Sequence, residues 1–358
     1  MTTTPAEQAA MRRALTLAAT PGVPLGPNPR VGCVLLDADG IEIAEGFHRG
    51  AGTPHAEVAA LSEAGDAARG ATAVVTLEPC NHTGRTGPCV DALIAAGVKR
   101  VVFAQRDPNP VAAGGAAALH HAGIEVEAGV MEPVARGINR AWTFAVDHQR
   151  PFVTWKFAAT LDGRSAAADG SSRWISGTDA RRDTHTLRAE CDVLLVGTGT
   201  VLSDNPRLNV RDEVDQPVAH QPLRVVMGER AVPQDSRIFD TPGEAQHLTT
   251  RDPAEALEQL YAAGRQHVWL EGGPTLAAAF VKAGLVDEIY AYVAPTFLGA
   301  GANAVGDLGI TTINDQLRWH LKRAGVIGTG ADATVRLTLT PLVERAPRRR
   351  VETKKAAS

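Results

Sequence analysis

Four residues in the first half of the chain have the types and the spacing of a catalytic metal site. His55 and Glu57 lie two positions apart, and Cys80 and Cys89 flank a polar, glycine-rich segment. One imidazole and two thiolates can bind zinc, and zinc with three protein ligands keeps a fourth position for water, whose pKa the metal lowers toward neutrality. The pattern predicts a hydrolytic zinc site with Glu57 free to carry protons, which is the chemistry of amidine deamination.

The residues around these groups predict the elements that position them. Thr53 suits a helix N-cap and Pro54 the first helical position, which places the histidine and the glutamate in the first turn. An apolar strand runs into Cys80, and Pro88 starts a second helix with Cys89 in its first turn. Helix N-termini favour the thiolate because the helix dipole and free N–H groups attract the anion. Both cysteines are therefore expected to be metal ligands.

The combination matches the zinc-deaminase signature, H-x-E followed by P-C-x-x-C, with one departure. The two cysteines are nine positions apart rather than three. His82 in the intervening loop and His48 upstream are each able to replace a ligand, although neither stands at a predicted helix start. Two other interpretations remain open. One is an ordinary helix start with buried cysteines, and the other is a closed structural zinc site with a fourth protein ligand.

The composition is that of a globular protein with two domains. Its 358 residues exceed what one hydrophobic core usually organises, and 44% hydrophobic with 21% charged residues is an ordinary balance. No segment approaches the roughly 18 apolar residues of a membrane helix, and no signal-peptide core begins the chain. Four cysteines make no disulfide framework, and Cys33 and Cys191 adjoin apolar runs typical of a core. We expect a cytoplasmic protein with no membrane partner.

The charge distribution argues against nucleic acid as a partner. The net charge is −4, and six lysines and arginines against two glutamates from Glu344 onward give the end of the chain +4, leaving −8 elsewhere. An acidic body matches a phosphate backbone poorly, and 4% aromatic residues offer little base stacking. A deaminase of nucleic-acid bases is therefore the weaker alternative. The basic end is interpreted as a disordered, solvated tail.

A repeated junction indicates α/β architecture. A helical stretch ends at Ala-Gly and a β-branched run follows, at Gly97, Gly123 and Gly264. Glycine suits the position after a helix, and β-branched residues favour strands. Both halves alternate helix and strand, which predicts mostly parallel sheets. A polar break ending at Pro151 separates the two domains. The predicted segments are a deaminase domain, 1–147, a second domain, 151–342, and the tail, 343–358.

Two glycine-rich junctions in the second half follow apolar strands. The first, Gly197-Thr198-Gly199, lacks the third glycine of a dinucleotide-binding fingerprint and is weak evidence alone. The second, Gly272-Gly273-Pro274, lets backbone approach a ligand and opens a helix whose free N–H groups attract phosphate. A tight turn without a ligand remains the alternative there. Several arginines between the junctions indicate an anionic ligand, although most of them are also compatible with a solvated surface.

Together these motifs resemble those of the bifunctional riboflavin-biosynthesis deaminase-reductases of bacteria, as far as about Leu342. The long loop between the cysteines is that family's own form. In the first half the resemblance rests on 27–34 (PNPRVGCV), 54–57 (PHAE), 76–80 (TLEPC), 84–86 (GRT) and 107–110 (DPNP). In the second half it rests on Lys156, 161–164 (LDGR), 174–176 (WIS), 187–189 (LRA), 196–197 (VG), 199–202 (GTVL), 204–206 (DNP) and 271–274 (EGGP).

The resemblance implies both folds and both reactions. The first domain is expected to have the three-layer α/β/α cytidine-deaminase fold, and the second a dihydrofolate-reductase-like α/β fold. Zinc-dependent hydrolysis of the 2-amino group of a diaminopyrimidinone ribosylamine phosphate would be followed by hydride transfer from NADPH to the ribosyl group. The expected partner is thus a small phosphorylated pyrimidine, and the expected assembly is a homo-oligomer.

The resemblance also assigns ligand contacts in the second domain. The substrate contacts are Ser172, Arg188, Leu208, Arg211 and Glu271. The NADPH contacts are Ala158, Trp174, Thr200, Asp204, Gly273, Pro274, Thr275, Leu276, Ala277, Ala278 and Ala279. The chain departs from the family pattern at Gly87, where proline is usual, in 111–115, which is one residue short, and at Gly228, where aspartate is usual. No cofactor contact is carried over at Gly228.

Overall fold

The computed structural model describes residues 3–23, 26–82 and 87–342, so the predicted tail, 343–358, lies outside the described residues. The chain divides into two compact units, Met1–Asp147 and His148–Ser358, and each contains its own sheet. Within the described part of the chain, no helix combines the length and the apolar character needed to cross a membrane.

The first unit is a five-stranded sheet with helices on both faces. Its elements are α1 (Pro5–Ala18), β1 (Gly32–Leu36), β2 (Glu42–Phe47), α2 (Ala56–Ala64), a 3-10 turn (Gly65–Ala68), β3 (Thr72–Leu77), α3 (Cys89–Ala95), β4 (Arg100–Gln105), α4 (Gly115–His121), β5 (Glu125–Ala128), α5 (Glu132–Ile138) and α6 (Arg140–His148). The strand order is β2-β1-β3-β4-β5. Strand β1 is antiparallel to β2 and β3, whereas β3, β4 and β5 are parallel. The prediction of a mostly parallel sheet is therefore wrong for this unit.

Alternating side chains give this sheet two buried faces. On β3, Val75 packs with residues of α2, α3 and α6, whereas Val74 packs with residues of α1 and α5. Helix α1 begins with a capping box, because Thr4 Oγ1 accepts from the Glu7 N–H and the Glu7 carboxylate accepts from the Thr4 N–H. The predicted three-layer α/β/α arrangement of the first domain is confirmed.

The second unit is built on an eight-stranded sheet. Its elements are β6 (Phe152–Thr160), α7 (Thr178–Arg188), β7 (Val193–Gly197), α8 (Thr198–Asp204), β8 (Leu223–Met227), β9 (Ala245–Leu248), α9 (Pro253–Ala262), β10 (His267–Glu271), α10 (Pro274–Lys282), β11 (Glu288–Ala294), β12 (Trp319–Ile327) and β13 (Thr334–Pro341), with 3-10 turns at Ile313–Asp315 and Gly330–Asp332. The order is β12-β13-β11-β6-β10-β7-β8-β9. Among the described strands of this sheet, β13 alone pairs antiparallel, with β11 and β12, and the other pairs are parallel. The prediction of a mostly parallel sheet is therefore confirmed here.

Parallel pairing sets the positions of the glycine-rich junctions in this unit. Strands β7 and β10 are neighbours, and both end at the same edge of the sheet, at Gly197 and Glu271. Helix α8 begins directly after β7, and α10 begins after the two glycines that follow β10. In open α/β sheets ligands bind outside the carboxyl ends of the strands. The fold therefore places both junctions at one candidate ligand site.

Candidate functional site

The three predicted zinc ligands lie together in the first unit. His55 Nδ1 is 3.2 Å from Cys89 Sγ and 3.6 Å from Cys80 Sγ, and the three ligand atoms all lie within 4.8 Å of one another. Zinc bonds of about 2.3 Å to sulfur and about 2.0 Å to nitrogen, in tetrahedral geometry, separate ligand atoms by roughly 3.5 to 3.8 Å. Both the donor set and the spacing therefore fit zinc.

The helices begin slightly later than the sequence predicts. Helix α2 starts at Ala56 with His55 as its N-cap, and α3 starts at Cys89 with Pro88 as its N-cap. The Thr53 hydroxyl donates to the Gly50 carbonyl instead of capping the helix. The predicted N-cap at Thr53 was wrong. At the cap, the His55 backbone is extended and its ring makes no capping hydrogen bond, so the imidazole is available to the thiols.

The electrostatics of the cluster favour ionised sulfur at Cys80. A hydrogen bond with the Cys89 thiol lowers the pKa of the Cys80 thiol against the opposing effect of burial, and His55 lowers it further. The Cys89 N–H also donates to Cys80 Sγ over 3.4 Å. Cys80 is therefore the first sulfur of the pair to ionise, as a metal ligand must be.

Glu57 lies beside this cluster without being one of its ligands. Its side chain is buried, and burial raises the pKa of its carboxyl, to which Cys80 also contributes. His55 and Cys89 lower the pKa of the same carboxyl. His55, Cys80 and Cys89 therefore all lie close to Glu57. A buried carboxyl next to three candidate ligands is suited to exchange protons with a molecule bound there.

The two alternative histidines are not members of the cluster among the described residues. His48 is buried, and its ring lies edge-on to that of His55 with 5.3 Å between the centroids. Because the Pro54 carbonyl can only accept, His48 Nδ1 donates to it at 3.1 Å, and Nε2 then accepts from Asn28 Nδ2 at 3.0 Å. His48 thus supports the segment before His55, a role that its type and spacing did not reveal.

Part of the segment between the two cysteines lies outside the described residues. The segment 83–86, which includes the predicted motif at Gly84, Arg85 and Thr86, is not described. Gly87, where the chain departs from the family pattern, precedes Pro88 and is exposed.

A second cluster of charge lies at the end of β10. Arg188 Nη2 and Nε contact the two carboxylate oxygens of Glu271 at 2.6 and 2.7 Å, and the Trp269 indole N–H also donates to Glu271. Lys156 pairs with Glu271 in the β6–β10 register, and burial lowers the pKa of its ammonium while Glu271 opposes this effect. Two cations therefore surround one carboxylate, which leaves positive charge for an anionic ligand.

The other predicted substrate residues differ in how they are connected to the Arg188–Glu271 pair. Arg188 Nη1 donates to the Asn209 carbonyl, and Arg211 Nε donates to Asn209 Oδ1 at 3.1 Å, so Asn209 links the two arginines. Leu208 is in the buried core, with a φ of 46°. Ser172 is half-buried in the segment between β6 and α7, and no described contact joins it to the pair.

Most of the predicted NADPH residues form two groups. Gly273 is the N-cap of α10 and Pro274 its first residue, so 273–279 is the start of one helix. Gly272 lies beside Gly197, because a Cβ added to Gly272 would be in ordinary van der Waals contact with the Gly197 nitrogen, at 3.7 Å. Thr200 and Asp204 belong to α8, which follows Gly197.

Two further predicted cofactor residues belong to or follow β6. Ala158 lies in β6 and packs against a buried cluster. Trp174 follows β6 and is 69% exposed, and the guanidinium of Arg181 lies 4.4 Å from its ring centroid. One face of an exposed indole is therefore covered by a cation.

Breaking the Arg188–Glu271 pair is expected to destabilise the second unit. Burial alone would raise the pKa of Glu271, but Arg188 and then Lys156 outweigh it and lower the pKa to about 2. A depressed carboxyl pKa stabilises the fold above the ordinary value near 4.5, and this contribution is lost as the pH falls toward 2. Arg188→Met is expected to lower the free energy of unfolding by about 3 to 5 kcal/mol at pH 7, and by less at pH 3.

Urea unfolding of the full chain followed by tryptophan fluorescence measures this loss at both pH values. Arg182→Met is the matched control, because Arg182 is on the same helix but its pair with Asp179 is exposed. An equal loss at pH 7 and pH 3 would contradict the role assigned to Glu271.

Two protein-family models match the chain, and each matched range contains one of the two candidate sites. Residues 4–105 match the cytidine and deoxycytidylate deaminase zinc-binding region, and residues 151–332 match the RibD C-terminal domain. The first match contains the His55, Cys80 and Cys89 cluster, and the second contains the Arg188–Glu271 pair.

Curated relatives and solved structures match most of the chain. The riboflavin biosynthesis protein RibD of Mycobacterium tuberculosis is 48% identical over 84% of this chain and 89% of its own length. The RibD protein of Escherichia coli is 40% identical over 89% of this chain and 96% of its own length. The solved structure of Acinetobacter baumannii RibD matches with a TM-score of 0.86 at 40% identity, covering 94% of this chain and 99% of that chain. A Thermotoga maritima structure described as a diaminohydroxyphosphoribosylaminopyrimidine deaminase and 5-amino-6-(5-phosphoribosylamino)uracil reductase matches with a TM-score of 0.84 at 31% identity, again covering 94% and 99%.

Proposed function

The chain belongs to the RibD family of bifunctional riboflavin-biosynthesis enzymes, and on this premise we propose which of its residues carry each reaction. It is a zinc-dependent deaminase of 2,5-diamino-6-(5-phosphoribosylamino)pyrimidin-4-one and an NADPH-dependent reductase of the resulting aminouracil. We assign the first reaction to a domain spanning 1–147 and the second to one spanning 151–342, which the ranges of the two family-model matches support.

Glu57 is the proton carrier of the proposed deaminase. Hydrolysis replaces the 2-amino group with oxygen from water and releases ammonia. The Glu57 carboxylate accepts one proton from the water and delivers it to the ring nitrogen. It then accepts the proton of the hydroxyl group added at the ring carbon and delivers it to the amino group, which leaves as ammonia. His55, Cys80 and Cys89 would hold zinc, which supplies a Lewis acid and makes water nucleophilic at neutral pH.

The observation that carries this assignment is the buried Glu57 carboxyl beside three ligand atoms within 4.8 Å of one another. A closed structural site would need a fourth protein ligand, and the described cluster contains three. Ammonia release from the diaminopyrimidinone tests the assignment. No ammonia from a chain that holds one zinc would contradict it.

In the reductase, charged groups at the end of β10 orient the phosphorylated substrate. Arg188 and Arg211 supply cations that match phosphate, and Glu271 fixes the Arg188 fork. NADPH, which supplies the hydride, would lie across the adjacent starts of α8 and α10, whose approach at Gly197 and Gly272 supports this placement. Leu208 and Ser172 complete the proposed substrate contacts. The proposed NADPH contacts are Ala158, Trp174, Thr200, Asp204 and 273–279.

We propose that the second unit mediates a homo-oligomer. Leu321, Val326 and Val335 are 53%, 69% and 39% exposed, and the register of β12 with β13 places them on one face. Contiguous exposed apolar surface is typical of an interface. Light scattering is expected to give a multiple of 37.6 kDa, and Val326→Asp is expected to lower it. A monomeric wild-type protein would contradict this proposal.

A cytoplasmic location is also proposed. The four cysteines are unpaired and buried, as is usual in a reducing compartment.

A further inference from the structure

Glu78 is a buried carboxylate that accepts hydrogen bonds from backbone N–H groups. Its side chain follows β3 and is 5% exposed. Oε2 accepts from the Asp107 N–H at 3.2 Å, and Oε1 accepts from the Ala116 N–H at 2.9 Å. Within the described part of the chain, no lysine or arginine is found in an ion pair with it. Both carboxylate oxygens therefore bind the same neighbouring segment, 107–116, which follows β4 and ends in the first two residues of α4.

The residues that follow Glu78 contact this segment too. The Asn81 N–H donates to the Ala112 carbonyl at 3.0 Å. Gly115 closely approaches the Pro79 carbonyl, because a Cβ added to Gly115 would lie 1.8 Å from that oxygen. The segment 107–116 therefore contacts the residues on both sides of Cys80.

The segment has its own compact turn and borders the zinc cluster. Asp107 Oδ1 accepts from the Asn109 N–H, and the Asn109 carbonyl accepts from the N–H groups of Ala112 and Ala113. Ala112 is buried against Cys80 and Cys89. A shift of this segment would change the wall of the space next to the ligands.

We propose that Glu78 is a positioning residue for deamination, which holds the segment 107–116 against the Cys80 strand end and so shapes the wall of the pyrimidine site. The proposal rests on the proposed deaminase function. A carboxylate accepts from both N–H groups, an amide has one oxygen acceptor, and a thioether has no comparable acceptor. The effect of substitution should therefore be graded.

Deaminase kinetics of the full, zinc-loaded chain test the proposal. Glu78→Gln is expected to raise KM for the diaminopyrimidinone roughly tenfold, and Glu78→Met is expected to raise it further, with a smaller change in kcat. Hydrogen exchange of the N–H groups in 107–116 should accelerate in the same order. Zinc content should stay at one per chain, and reduction of the aminouracil substrate by the second domain should be unchanged.

Glu132→Gln is the matched control. Glu132 is a surface glutamate of the same unit, and its ion pair with Arg136 is long, at 3.8 Å. A KM within twofold of wild type in both Glu78 variants would overturn the proposal. Loss of zinc without faster exchange in 107–116 would also overturn it, because Glu78 would then support the metal site instead. If the wild type released no ammonia, the deaminase assignment itself would fail, which is a distinct result.

Discussion

Glu57→Gln is expected to lower the deaminase kcat by about 10²- to 10⁴-fold, which is the usual contribution of a positioned general acid–base group. Glutamine has nearly the same shape but cannot take a proton from water at neutral pH. Because Glu57 is not a member of the ligand cluster, zinc should remain at one per chain. Ammonia release and metal analysis of the same preparation measure both quantities.

The matched control for this variant is Glu63→Gln. Glu63 is on the same helix, α2, but is exposed, so its substitution is expected to leave ammonia release within twofold of wild type. A Glu57→Gln protein with a kcat within tenfold of wild type would show that another group carries the proton.

Cys89→Ala is expected to abolish both zinc binding and deamination. The substitution removes one of three ligands, and the remaining His55 and Cys80 cannot complete a three-ligand site. Zinc content should fall from one per chain to less than about a tenth, since structural and catalytic sites depend on ligand count. Reduction of the aminouracil substrate should persist, because the Arg188–Glu271 site belongs to the other unit.

Cys33→Ala separates ligand loss from the loss of a buried thiol. Cys33 is fully buried in the same unit and is not a member of the cluster. Its substitution should leave zinc content unchanged. Full zinc content in the Cys89→Ala protein would contradict the assigned ligand set.

The zinc cluster could be predicted from sequence because short motifs carry its geometry. A histidine at a helix start and two cysteines beside prolines retain their local structure wherever the chain places them. The exact start of α2 could not be predicted, because Thr53 bonds to Gly50 and the Pro54 carbonyl accepts from His48. These contacts compete with capping, and only the folded loop decides between them.

Contacts between residues that are far apart in the sequence were harder to predict. Arg188 and Glu271 are 83 positions apart, and no local pattern pairs them. Resemblance to a family assigned both residues to the substrate, but only the fold shows that they form a fork next to Lys156. Glu78 is a similar case. It lies in the same motif as the predicted metal ligand Cys80, but its contacts with 107–116 arise only because β3 and β4 are neighbours in the sheet.

Sheet direction was predicted only in part for a related reason. Helix–strand alternation favours parallel strands, and the second unit follows this rule in β6 to β11. In the first unit, β1 and β2 follow each other without an intervening helix and form an antiparallel pair. A short connection permits a hairpin, whereas parallel neighbours need a crossover.

The central claim, that one chain deaminates and then reduces its pyrimidine, is tested most directly by NADPH oxidation with two substrates. The wild type should oxidise NADPH with either the diaminopyrimidinone or the aminouracil. Glu57→Gln should oxidise NADPH with the aminouracil at an unchanged rate, and with the diaminopyrimidinone about 10²- to 10⁴-fold more slowly than the wild type. NADPH oxidation by zinc-loaded Glu57→Gln with the diaminopyrimidinone at the wild-type rate would contradict this order of reactions.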